Sequence, residues 1–259
     1  MQLVPRVLSC RGLSGMTLAM QRAPAINLPP VVLWLSFSLI AIHVARLFLG
    51  ENLEEWVLVA FAFIPARYSE VGAQLPGGAA ARIWSPVTYA FLHADFVHLI
   101  VNLVWMASFG GALARRFGGS RFLFLGLIAA ISGAALHYAL HPGEAVLVIG
   151  ASGAVSGMMA ASARFAFAPG GPLAGGRGPG AYRLPAAPLT ALLRNSRALV
   201  FILVWFAVNL IFGLTGGLGA GLAGPIAWEA HIGGFAAGLL LFPLFDPVRS
   251  EESSGNGLA

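Results

Sequence analysis

The sequence predicts an all-α fold, a polytopic membrane bundle of six transmembrane helices. Three observations predict it. Of 259 residues, 58% are hydrophobic and 10% are charged, where soluble domains sit near about 45–50% and about 25%. Six apolar runs approach the ~20 residues that a helix needs to cross a hydrocarbon core about 30 Å thick. The fifteen basic residues, all arginine, fall mostly between those runs and on one side of them.

Taken in order, residues 1–29 carry Arg6, Arg11 and Arg22 and no acid. No apolar core of signal-peptide length precedes a small-residue cleavage site. They are expected to form a disordered cytoplasmic leader. The membrane domain is expected over 30–246, with spans near 31–49, 89–113, 122–140, 146–167, 198–214 and 226–245. A further apolar stretch, 56–66, is too short to cross and ends near Pro65, which suits an interfacial or re-entrant segment. Residues 169–188, rich in Gly, Pro and Arg, read as a mobile cytoplasmic linker. The Gly-rich loop 215–224 is expected to be flexible and to lie just before the last span. Residues 247–259 read as a disordered cytoplasmic tail.

With the N-terminus inside, twelve arginines fall on the cytoplasmic side and only Arg46, Arg67 and Arg82 on the other. That is the positive-inside bias. It explains the net charge of +5 better than nucleic-acid binding does, and no nucleic-acid partner is expected. Both termini are then cytoplasmic. One cysteine, Cys10, excludes an internal disulfide.

Under this topology the second, fourth and sixth spans all run from outside to inside. Each carries a polar motif at its beginning. The motifs are His-Ala-Asp-Phe-Val-His-Leu-Ile-Val-Asn (His93 to Asn102), Gly-Ala-Ser-Gly (Gly150 to Gly153) and Ala-His-Ile-Gly-Gly (Ala230 to Gly234). Polar side chains in a bilayer are costly and mark function by default. A channel would string them along a path through the membrane; here they gather in one outer layer.

Ser152 stands between Gly150 and Gly153, which permit an unusual turn and close approach. A helix starting there would point free N–H groups at whatever the serine attacks. His231 is the only histidine after Ser152, and a histidine near neutral pKa can accept a serine proton. Gly234 and Gly238 can pack against Gly153 and Gly157, since small residues four apart let helices approach. His98 and Asn102 share one helix face. With the Ser152 backbone N–H they can form an oxyanion hole. Read singly, each has a plainer account: a serine at a helix contact, an interfacial histidine. Ser156 lies one turn beyond Ser152 and is a second candidate nucleophile. His93 reads as structural. Asn209 is expected to bond a neighbour's backbone, and His43, His137 and His141 read as interfacial. No spacing matches a zinc motif, so no metal is expected.

These motifs, in this order, resemble those of the rhomboid intramembrane serine proteases, over about 31–245. The resemblance implies a Ser152–His231 dyad, with His98, Asn102 and the Ser152 amide around the oxyanion. It implies cleavage of single-pass transmembrane substrates near the outer face of the bilayer, with no cofactor. It also implies a multi-pass protein of a bacterial inner membrane. The sequence assigns no oligomeric state. Many family members carry an aromatic residue four after the nucleophile, packed on the histidine; this chain has Ser156 there. Many have Trp-Arg in the first loop, absent here, and an acid where Ala114 precedes Arg115 and Arg116. A catalytically inactive relative, acting as a membrane binding or chaperone-like protein, typically lacks the serine or the histidine. Both stand in this sequence.

Overall fold

A computed structural model describes residues 27–215 and 227–248. The leader up to residue 26, most of the Gly-rich loop 215–224 and the tail from 249 lie outside the described residues, and with them the expectations made for those segments.

The chain opens with α1 (Pro30–Arg46), started by a proline whose missing N–H costs nothing at that position. The first loop follows. In it lie α2 (Glu51–Phe61), two 3₁₀ turns (Pro65–Tyr68 and Glu70–Gln74) and α3 (Ala81–Thr88). The bundle resumes with α4 (Phe96–Trp105), which runs through a π-turn (Met106–Gly110) into α5 (Gly111–Phe117). Then come α6 (Gly119–Leu140), α7 (Ser152–Ala166), the short α8 (Leu189–Arg194), α9 (Ser196–Thr215) and α10 (Trp228–Phe245). Among the described residues the one strand-like pairing is an antiparallel bridge between Phe63 and Val148.

Phe96–Phe117, α6 and α10 are long and apolar enough to cross a membrane unaided, while α1 and the first sixteen residues of α9 form shorter apolar helices. The protein is an all-helical integral membrane bundle. Two of the apolar runs are only partly helical. The run 89–113 begins as a 3₁₀ turn (Tyr89–Phe91), and its helix starts at Phe96. Asp95 stops it there: its Oδ1 accepts the His98 N–H at 2.8 Å, an N-cap. The run 146–167 becomes helix only at Ser152, because Val148 is held by Phe63 and Gly150 sits at φ +120°. Apolarity alone does not distinguish a buried extended segment from a helix.

The first loop is pinned by its arginines. Buried Arg67 donates to the carbonyls of Val59 (2.5 Å) and Pro76 (3.0 Å). Arg82 donates to those of Arg67 and Ser69, both at 2.7 Å. Trp84 closes the unit with an indole N–H to the Ala60 carbonyl at 2.9 Å. The linker 169–188, expected to be mobile, is likewise tied down rather than free. Arg116 donates to the carbonyls of Tyr182 and Leu184, both at 2.8 Å, and Arg164 donates to that of Ala187 at 2.7 Å. Arginine side chains there replace the apolar burial that the segment's composition lacks.

α10 packs against both α6 and α7. The α7 contact is a seam of glycines: a Cβ on Gly234 would stand 2.0 Å from the Gly153 carbonyl oxygen, and one on Gly238 2.0 Å from that of Gly157. Below the seam Phe122, Met158, Phe165 and Phe242 fill the core. Backbone-to-backbone approach without side chains is what small-residue interfaces provide in lipid, where no hydrophobic drive separates helix from solvent.

Candidate active site

Three helix starts meet at one end of the bundle. α7 brings Ser152 as its first residue, α10 brings His231 in its first turn, and α4 brings His98 just inside its capped end. The glycine seam fixes the distance between the first two. The Ser152 hydroxyl donates to His231 Nε2 at 2.6 Å, across 79 residues of sequence. Both side chains are only partly buried.

The other imidazole nitrogen faces α9. His231 Nδ1 is bonded to Asn209 Oδ1. Asn209 is itself buried, and its Nδ2 donates to the Trp205 carbonyl at 2.8 Å. This chain of bonds settles the proton. Nδ2 is spent on a carbonyl, so the Asn209 oxygen must face the ring. That oxygen only accepts, so Nδ1 carries the hydrogen and Nε2 presents its lone pair to the serine. The ring is thereby held with its unprotonated nitrogen toward Ser152.

Ser156, in place of an aromatic, is buried one turn further along α7. Asn209 holds the imidazole by a bond where a ring would hold it by stacking. Sequence reasoning gave Asn209 only a backbone partner. It does bond a backbone carbonyl, of its own helix, but its second partner is His231. An asparagine inside an apolar helix was the available signal.

His98 approaches from the other side. Ala94 N–H donates to His98 Nδ1 at 3.5 Å, which leaves the hydrogen on Nε2. That nitrogen lies against Gly150: a Cβ there would be 2.7 Å from His98 Nε2 and 3.6 Å from Ser152 Oγ. Glycine is needed at 150 twice over, for its φ of +120° and for this space. Asn102 is buried below His98 and donates one amide hydrogen to the His98 carbonyl at 2.9 Å. That bond uses one of its two amide hydrogens; no bond from Asn102 to Ser152 or His231 is made among the described residues. Gly153 lies under Tyr89, whose hydroxyl would be 2.9 Å from a Cβ there. Tyr89 donates to the Ala130 carbonyl at 2.9 Å. It is a second residue the motifs did not bring forward.

The loop before Ser152 is fastened at three points. Gly150 N–H donates to the Tyr89 carbonyl at 2.9 Å, Ala151 N–H to His93 Nε2 at 3.4 Å, and Arg46 to the His93 carbonyl at 2.8 Å. His93 thus ties loops together. Because α7 starts at Ser152, the N–H groups of its first turn have no carbonyl within the helix to bond. Together these features set the Ser152 hydroxyl against His231 Nε2, with His98 Nε2 and the first N–H groups of α7 close by.

A rhomboid domain is matched over residues 80–246 of this chain. Rhomboid-like protease 3 of Toxoplasma gondii is 28% identical over 145 residues, which cover 53% of this chain and 50% of that protein. The rhomboid protease GlpG of Yersinia pestis (strain Pestoides F) is 38% identical over 50 residues, 19% of this chain and 18% of the relative. The matched stretches therefore span half or less of these relatives.

Proposed function

The chain belongs to the rhomboid family, and from that premise we propose that it is an intramembrane serine protease with Ser152 as nucleophile and His231 as general base and acid. The reading rests most on one observation, the 2.6 Å contact of Ser152 with a histidine whose far nitrogen is held by Asn209. His231 Nε2 takes the Ser152 proton as Oγ bonds the scissile carbonyl carbon, and the carbonyl π pair moves to oxygen. The Ser152 amide, His98 Nε2–H and the free Asn102 N–H donate to that oxyanion. Donors of this kind are worth about 2.7–4 kcal/mol each in the transition state. Collapse expels the amine, which leaves with the proton from His231. Water then attacks the acyl-serine carbonyl carbon as His231 Nε2 takes its proton. Collapse breaks the Oγ–C bond, His231 returns that proton to Ser152 Oγ, and the product leaves as the carboxylic acid, which ionises in water.

Among the described residues no acid bonds His231, so the base works as a dyad with Asn209 as its positioning residue. The proposed substrates are single-pass transmembrane proteins, cut near the outer face of a bacterial inner membrane, with both termini of the enzyme cytoplasmic. Cleavage of such a substrate, co-reconstituted in liposomes, tests the reading. Wild type should cut it and Ser152→Ala should not. Equal cleavage by both would overturn the assignment, and a folded wild type that cuts nothing would favour a catalytically inactive, binding role.

A further inference from the structure

A second cluster of reactive side chains lies beside the site and takes no part in it. His137 stands in the last turn of α6, and His141 caps that helix four residues on. Glu229 stands in the first turn of α10, two residues before His231. Its Oε1 is 2.9 Å from His141 Nε2 and its Oε2 is 3.4 Å from His137 Nδ1. The two imidazoles are stacked, with centroids 4.6 Å apart.

We propose that His137, His141 and Glu229 form a binding site for a divalent transition-metal ion of the zinc class. Two imidazoles and one carboxylate are a ligand set such ions take, leaving a fourth position open. Their ligand atoms lie within 4.8 Å of one another, so side-chain movements of about 1 Å bring them to the ~3.3 Å spacing that bonds of about 2.0–2.1 Å give around a tetrahedral centre. Histidines four apart face the same way on a helix. The shell behind them fits as well. His141 Nδ1 points at Glu144 Oε2, 3.1 Å away. A carboxylate on the far nitrogen is the usual means of orienting a metal-bound histidine. An ion pair alone accounts for His141 and Glu229, but it leaves the buried His137 with only a long contact, 3.4 Å, for its Nδ1. His141 is partly exposed, which gives an ion a route in and a water the fourth position.

The ion would join the end of α6 to the start of α10, and so fix the height at which α10 presents His231. The site does not depend on the protease reading, and its test is run in the Ser152→Ala background. Full-length protein without a polyhistidine tag is titrated with zinc against a chelating dye, and with cobalt by its visible absorption. The expected result is one ion per chain, with a rise in melting temperature on zinc addition. His141→Ala and Glu229→Gln should abolish that binding, and Glu144→Gln should weaken it roughly 10–100-fold. His141 and Glu144 are not core residues, so these variants should fold; unchanged melting of the zinc-free protein checks it. Absence of saturable binding to the Ser152→Ala protein, or equal binding by all variants, would overturn the site. Cleavage by a wild type that binds no zinc would sink the metal inference and leave the protease reading intact.

Discussion

At the scale of single residues the account turns on what holds His231. An imidazole is a useful base only if the correct nitrogen is free and aimed. Asn209 supplies both conditions, because its oxygen accepts from Nδ1–H and its own orientation is set by Trp205. Asn209→Ala should lower kcat at least roughly 10-fold, short of the ~10²–10⁴-fold expected for losing the base itself. Asn209→Asp keeps an acceptor in place, so it should recover much of that loss. Its carboxylate also favours the imidazolium, so the acid limb of the kcat/KM profile should move to higher pH. A merely structural asparagine would move stability and leave that limb where it was. His98→Ala and Asn102→Ala should lower kcat roughly 10–1000-fold with little change in KM, because their bonds tighten only as the oxyanion forms. A change confined to KM would make them substrate-binding residues instead. Ser152, His98 and His231 stand out in the sequence as polar groups inside apolar runs. Asn209 stands out in the same way, but its partner depends on the rotation of α9 about its axis, which periodicity in a uniformly apolar helix does not report.

Among the elements, the glycine seam between α7 and α10 sets the geometry of the site. Adding one methyl at Gly234 or Gly238 places it 2.0 Å from a carbonyl oxygen, and the helices must separate. Gly234→Ala and Gly238→Ala should each destabilise the bundle by about 1–3 kcal/mol, as overpacking does. They should also reduce cleavage, because Ser152 and His231 ride on the two helices that part. Gly180→Ala, with nothing within 4 Å of the added carbon, should change stability by less than about 0.5 kcal/mol. Melting temperature and turnover of the three variants together check this. The small-residue spacing on both helices is visible in the sequence. The helix start at Ser152 is not visible in hydropathy, because residues 145–151 are equally apolar, and the start at Phe96 falls inside a run that is apolar on both sides of His93 and Asp95. Their signals were local: Asp95 as a cap and Gly150 as a glycine at φ +120° just before the helix.

Over the whole molecule, the arginines do two jobs that composition shows as one. Most fall on the side that the positive-inside rule would make cytoplasmic, but Arg46 at the end of α1, Arg67 and Arg82 in the first loop, and Arg116 and Arg164 within, also bond backbone carbonyls. Arg116 also pairs with Asp246 at 2.8 Å, with its side chain fully buried. That pair ties α5 to the end of α10 beyond Phe245. Asp246→Ala leaves a buried cation and should cost about 3–5 kcal/mol, read as a large fall in melting temperature. The sequence could count these charges and give them a side; it could not say which were structural, because a carbonyl partner leaves no mark in the chain. The central claim is that Ser152 is an activated nucleophile with His231 as its base. Its most direct test is the mass and position of the adduct formed with a fluorophosphonate. The account predicts a single adduct on Ser152 in the wild type, none in Ser152→Ala and slow labelling in His231→Ala. An adduct on Ser156, or labelling of Ser152 at the same rate without His231, would contradict it.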